Sequence, residues 1–112
     1  MATTYVRRFD LKASLTDSEV AAFWKYMMEE FLPACRKVSG VQALRVFSGA
    51  GALRADLRLV LEMENAGIYE NLLREPSLHA AVARLYAAIY LRTSNQTFTR
   101  EVTPELIKAL SP

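Results

Sequence analysis

With 14 Lys and Arg against 12 Asp and Glu in 112 residues, the chain carries a formal charge of +2, too near neutral and too evenly scattered for a nucleic-acid-binding surface. Its 52% apolar and 23% charged residues exclude a disordered or fibrous chain, and it contains no run of about 18 apolar residues that would mark a membrane span. The length suits one domain, residues 1–112, which would bury roughly two-thirds of the surface its unfolded chain exposes.

Cysteine and histidine usage narrows the chemistry. A lone Cys35 forms no intrachain disulfide, and with His79 as the sole histidine there is no structural zinc set, so neither a metal nor another cofactor is expected. The opening Met-Ala-Thr-Thr-Tyr lacks the basic and apolar regions of an export signal, which leads us to expect a cytoplasmic protein.

Residues 4–11 read as a first strand, with Tyr5, Arg7, Phe9 and Leu11 on one side and Val6, Arg8 and Asp10 on the other. Phe9 and Leu11 suggest which side meets the helices, although the adjacent Arg7-Arg8 pair weakens the register. A helix follows: Thr16 is its N-cap, Glu19 completes a capping box, and Leu15 is placed to staple Val20. Val20, Phe23, Trp24, Met27, Phe31, Cys35 and Val38 then recur at spacings of three and four as one apolar stripe. Pro33 removes a backbone donor and should kink this helix near Glu29 and Glu30, and Gly40 supplies a left-handed stop.

Residues 41–48 form a second strand, with Leu44 and Val46 opposing Ala43, Arg45 and Phe47. Gly49-Ala50-Gly51 connects it to residues 55–64, the most regular alternation in the chain, so the two strands should pair antiparallel. Leu57, Leu59, Leu61 and Met63 share one face of that third strand, and Asp56, Arg58, Val60 and Glu62 share the other. A helix begins at Asn65 with Ile68, Leu72 and Leu73 as buried positions, is interrupted at Glu75-Pro76, and resumes with Leu78, Val82, Leu85 and Ile89. Residues 91–102 read as a last strand, and Thr103-Pro104-Glu105 opens a terminal helix whose Leu106, Ile107 and Leu110 need a surface to dock on.

The order strand, helix, strand, strand, helix, strand is the ferredoxin-like βαββαβ arrangement of an α+β protein, a four-stranded antiparallel sheet with two helices on one face. The other face carries Val60, Phe47 and Ala43 among its charges, so a second copy of the chain is the simplest cover. In element order, length and the first-helix ending Phe31-Leu32-Pro33-Ala34-Cys35-Arg36-Lys37-Val38-Ser39-Gly40-Val41, the chain resembles the dimeric α+β barrel superfamily, with its cofactor-free monooxygenase-like, EthD-like and stress-responsive members. The resemblance implies a homodimer whose sheets pack face to face, with a ligand held between a sheet and its helices or partner.

The polar sheet face gathers Arg8, Arg45, Arg58, Asp56 and Glu62, with Gln96 or Asn95 from the last strand. Guanidinium groups bind carboxylates in bidentate fashion, so Arg8, Arg45 and Arg58, with Glu62 and Phe47, are candidate binders of a small acidic or aromatic ligand. Ion pairs across a dimer seam are the competing assignment. His79 and Tyr86 are the candidate proton carriers if the protein is an enzyme, although a surface or packing histidine is the simpler account of His79, which has no carboxylate at helical spacing to orient it except Glu75 across the proline break. Haem-degrading members of the superfamily pair a histidine with a strand-one asparagine that this chain lacks. Trp24 is a candidate for lining an apolar cavity for an aromatic substrate, against ordinary core packing, and Tyr69 and Tyr90 also carry hydroxyls a ligand would use. Three functions follow: small-molecule binding; a cofactor-independent monooxygenase or isomerase acting on an aromatic or enolisable substrate; or a purely structural assembly module.

Overall fold

The computed structural model describes residues 2–49 and 53–110. Four strands, β1 (Thr3–Phe9), β2 (Val41–Ser48), β3 (Leu57–Met63) and β4 (Asn95–Thr99), form one sheet in the order β2-β3-β1-β4, every neighbour antiparallel. The first helical segment comprises α1 (Asp17–Tyr26), a π turn (Met27–Phe31) and α2 (Leu32–Arg36). The second comprises α3 (Gly67–Arg74) and α4 (Pro76–Ala88), and α5 (Pro104–Ala109) ends the described chain. This is the expected βαββαβ order with an added terminal helix.

The alternation in β3 decides the sidedness of the sheet. Leu57, Leu59, Leu61 and Met63 are all buried toward the helices, where they meet Tyr5 and Phe9 of β1 and Leu44 of β2. Burying each such side chain contributes about 1.5–3 kcal/mol. Among the described residues no polar or charged side chain is fully buried, so this core is held by apolar packing.

Local chemistry sets the helix boundaries. Thr16 and Glu19 form the capping box at the start of α1, with Glu19 N–H donating to Thr16 Oγ1 at 3.1 Å and Thr16 N–H to Glu19 Oε1 at 2.9 Å. Pro33 cannot donate to the carbonyl four residues before it, and the chain answers upstream with the π turn, in which Leu32 N–H bonds to Met27 O. The kink expected near Glu29 and Glu30 thus takes the form of a widened turn. Gly40 has φ +93°, and a Cβ there would run into the Ile68 side chain, so the stop after α2 also lets α3 approach the sheet. Glu75 is extended at ψ 110° and separates α3 from α4 as its proline neighbour requires.

Four expectations are corrected. The third strand starts at Leu57 rather than at residue 55, because Asp56 takes a left-handed backbone with φ 53° and donates its N–H to Asp10 Oδ1 at 2.8 Å. The last strand is confined to Asn95–Thr99, since Leu91–Thr93 is a 3₁₀ turn in which the Thr93 hydroxyl and N–H both bond to Tyr90 O. Leu73 is half exposed rather than buried. Gln96 pairs with Arg7 and therefore faces the helices, whereas Asn95, opposite Arg8, faces outward. Within the expected connection Gly49-Ala50-Gly51, the last two residues lie outside the described residues.

Candidate functional site

Between the sheet and the helices lies a cavity of about 70 Å³, walled by apolar side chains that include Phe31, Leu59, Leu61, Leu78 and Leu85. Its polar edge is made by Tyr5, Arg7, Tyr69 and Tyr86. Among the described residues Arg7 is the one charged group that lines it. Cys35 also lines the space, and burial pushes its thiol up to about 11, so it is uncharged at neutral pH.

Arg7 stands on β1 between Tyr5 and Phe9, on the face turned to the helices. Its guanidinium is half-buried and its hydrogen-bond partners are all neutral. Nε donates to Tyr5 Oη at 2.9 Å and Nη1 to Ser94 Oγ at 2.8 Å. Nη2 donates to Gln96 Oε1 at 2.8 Å and Tyr86 Oη at 3.2 Å. Gln96 Oε1 also accepts from Tyr5 Oη at 2.9 Å and from Tyr69 Oη at 3.4 Å. Among the described residues no carboxylate forms an ion pair with Arg7. Burial works against its charge, but the phenol oxygens of Tyr5, Tyr86 and Tyr69 together outweigh that, so the cation is held above its usual range. The Tyr5 hydroxyl is pushed up, chiefly by burial, and stays protonated. Tyr5, Tyr69 and Phe98 pack as an aromatic trio with ring centroids 4.7–5.1 Å apart, which fixes the rim.

The outer face of the sheet is a different environment. Arg8 and Arg58 lie directly opposite each other in register, and Asp56 sits between them, its Oδ1 2.9 Å from Arg8 Nε and 3.5 Å from Arg58 Nη2. Arg45 Nη2 lies 3.6 Å from Glu62 Oε1 and Arg45 also stands over the ring of Phe47 at 6.0 Å. Phe47 is 49% exposed, and these three arginines are more than half exposed.

The candidates from the sequence thus divide. Arg8, Arg45, Arg58, Glu62 and Phe47 gather on the outer face, and Tyr86 lines the cavity on the other side of the sheet. His79 is exposed on α4, its Nε2 3.1 Å from Leu73 O, and is not among the cavity-lining residues. Trp24 packs edge-on against Phe23 at 5.3 Å, and its indole N–H donates to Leu53 O at 2.8 Å, also outside the cavity lining. Arg7, which lines the cavity, and Ser94 and Gln96, which hold its guanidinium without lining it, are not among the residues expected there from the sequence. Arg7 left a signal, an arginine at a core-facing position of a strand whose other members are Tyr5, Phe9 and Leu11. Among the described residues no three His, Cys, Asp or Glu side chains gather as a metal site, and no helix is long and apolar enough to cross a membrane.

No protein-family model matches the chain, and no curated protein matches its sequence. Solved structures do match. A dimeric protein of unknown function and ferredoxin-like fold from Bacteroides fragilis superposes with a TM-score of 0.72 at 15% identity, over 89% of this chain and 96% of its own. The chain has the ferredoxin-like fold. The same ferredoxin-like domain is similar to a point variant of SnoaB, a cofactor-independent oxygenase from Streptomyces nogalater, with a TM-score of 0.70 at 14% identity over 92% of this chain and 97% of that one. It is also similar to an ethyl tert-butyl ether D (EthD) family protein from Bacillus halodurans, with a TM-score of 0.62 at 14% identity over 91% and 100%. At these identities the likeness bears on the fold alone.

Proposed function

We propose that this ferredoxin-like domain binds a small molecule in the cavity between its sheet and helices and pairs with a second copy through the outer face of its sheet. The observation that carries the ligand reading is the combination of an apolar space with an arginine at its edge that has no acidic partner among the described residues. Small-molecule sites join mostly apolar walls to a few converging polar groups in this way. At about 70 Å³ the open space is below the range of drug-sized pockets, so the ligand is small or displaces the exposed Leu73 as it enters.

The dimer reading rests on the outer face. Phe47, Val60 and Ala43 stand there among arginines and acids in near balance, a mix of apolar and paired charged groups that a two-fold pairing of copies would cover. Under this arrangement Arg8, Arg45, Arg58 and Glu62 serve the seam between copies. The likeness to proteins described as dimeric supports it. Val102, Ile107 and Leu110 of the C-terminal arm are also exposed and add apolar surface for a partner copy to cover.

A second reading, a cofactor-independent oxygenase or isomerase, is favoured by the Tyr86 hydroxyl at the cavity edge, within reach of the Arg7 cation, where it is placed to move a proton. His79 would join it only after a rearrangement of α4.

Native mass spectrometry of freshly purified protein tests both halves. The expected result is a dimer of 12.6 kDa chains carrying a small-molecule mass, with Phe47→Glu giving a folded monomer. A native chain that stays monomeric at micromolar concentration contradicts the pairing. Exposure to small aromatic and enolisable compounds separates the readings: compounds returned unchanged favour binding, and hydroxylated or isomerised products favour catalysis.

A further inference from the structure

The hydrogen-bond directions around Arg7 restrict what the cavity takes. Four of the five guanidinium N–H groups are committed, to Tyr5, Ser94, Tyr86 and Gln96, and in each of those bonds the neighbour is the acceptor. Gln96 Oε1 receives donors from Arg7, Tyr5 and Tyr69, so its acceptor capacity is spent. The protons of Tyr5 and Tyr69 point to Gln96. Donors remain for a newcomer in the hydroxyl proton of Tyr86, that of Ser94 and the second N–H on Nη1 of Arg7; the hydroxyl oxygens each keep a spare lone pair, but none of these groups is anionic, and they surround a positive charge.

A neutral alcohol entering this rim accepts from one or two of these donors but leaves the cation uncompensated. An anion accepts from several of them and supplies the missing charge, and charge-assisted bonds of this kind are about twice as strong as neutral ones. Resting on the cavity reading above, we infer that the ligand is a slim amphiphilic monoanion, an apolar chain bearing one carboxylate that docks on Arg7 and Tyr86. About 70 Å³ is roughly half of the ~150 Å³ of an engineered apolar cavity that holds benzene, so a ring is too large to be enclosed, whereas an extended acyl chain can leave part of its length at the mouth beside the half-exposed Leu73.

Isothermal titration of the full chain with hexanoate and with hexan-1-ol tests the charge, and benzoate tests the shape. Hexanoate is expected to bind about tenfold or more tightly than hexan-1-ol, and more tightly than benzoate. Arg7→Met removes the preference for the anion and leaves hexan-1-ol binding within about twofold. Should Arg7→Met not fold, Tyr86→Phe keeps the guanidinium and withdraws one free donor, and it is expected to weaken hexanoate severalfold while sparing hexan-1-ol. Equal affinities of the native chain for hexanoate and hexan-1-ol overturn the inference of an anion and leave the cavity standing. Tighter binding of benzoate than of hexanoate overturns the slim shape. Failure of all three to bind overturns the cavity reading itself.

Discussion

Single side chains in this protein matter through where their neighbours leave them. Arg7 and Arg8 are adjacent in sequence and opposite in consequence: Arg8 reaches Asp56 on an open surface, whereas Arg7 sits among phenols and an amide at the edge of an apolar space. Asp10 is a third such case. Its carboxylate accepts the Asp56 N–H at 2.8 Å and anchors the left-handed turn that starts β3, and that bond, with help from Thr93 and from the Arg8 charge, holds its pKa below the usual carboxylate range. A carboxyl whose pKa falls on folding contributes stability above its unfolded value near 3.9, and the contribution disappears as pH drops through the lower folded value. Asp10→Ala is therefore expected to cost about 1–2 kcal/mol in urea unfolding at pH 7 and less at pH 2.5. An equal cost at both pH values would show that the charge plays no part.

At the scale of elements, much was legible in the sequence, for physical reasons that can be named. The capping box at Thr16 and Glu19, the break at Glu75-Pro76 and the stop at Gly40 are each enforced by backbone chemistry within a few residues, so reading neighbours suffices. The inward face of β3 was legible because four apolar side chains at period two leave no alternative register. The start of β3 and the extent of β4 were not, because each depends on a hydrogen bond that the pattern does not announce: Asp56 to Asp10 in one case, Thr93 to Tyr90 in the other. The candidate site was less legible still. Nine of its lining residues come from α3, α4 and the helix around Phe31, and the pair Arg7-Arg8 weakened the reading of which strand arginine faces them. The two faces of the sheet also differ in energetic weight. Leu57→Ala, at a fully buried position, is expected to cost about 2–5 kcal/mol in urea unfolding, against at most about 1 kcal/mol for Arg45→Ala, whose ion pair with Glu62 is exposed. Comparable losses would mean that the outer face carries far more stability than its exposure allows.

Taken as a whole molecule, the chain is a sheet with one greasy side covered by helices and one mixed side left open, and it offers a ligand two places to go. A seam between copies on the open side would use Arg8, Arg45 and Arg58, whose charges are already answered by Asp56 and Glu62. The cavity on the covered side uses Arg7, whose charge is answered by no carboxylate among the described residues. Backbone amide chemical-shift mapping during titration with hexanoate discriminates between the two places directly. Shifts are expected at Arg7, Tyr69, Leu73 and Tyr86 with Arg45, Phe47 and Arg58 unmoved. Shifts confined to Arg45, Phe47 and Arg58 would place the ligand on the outer face and contradict the cavity reading.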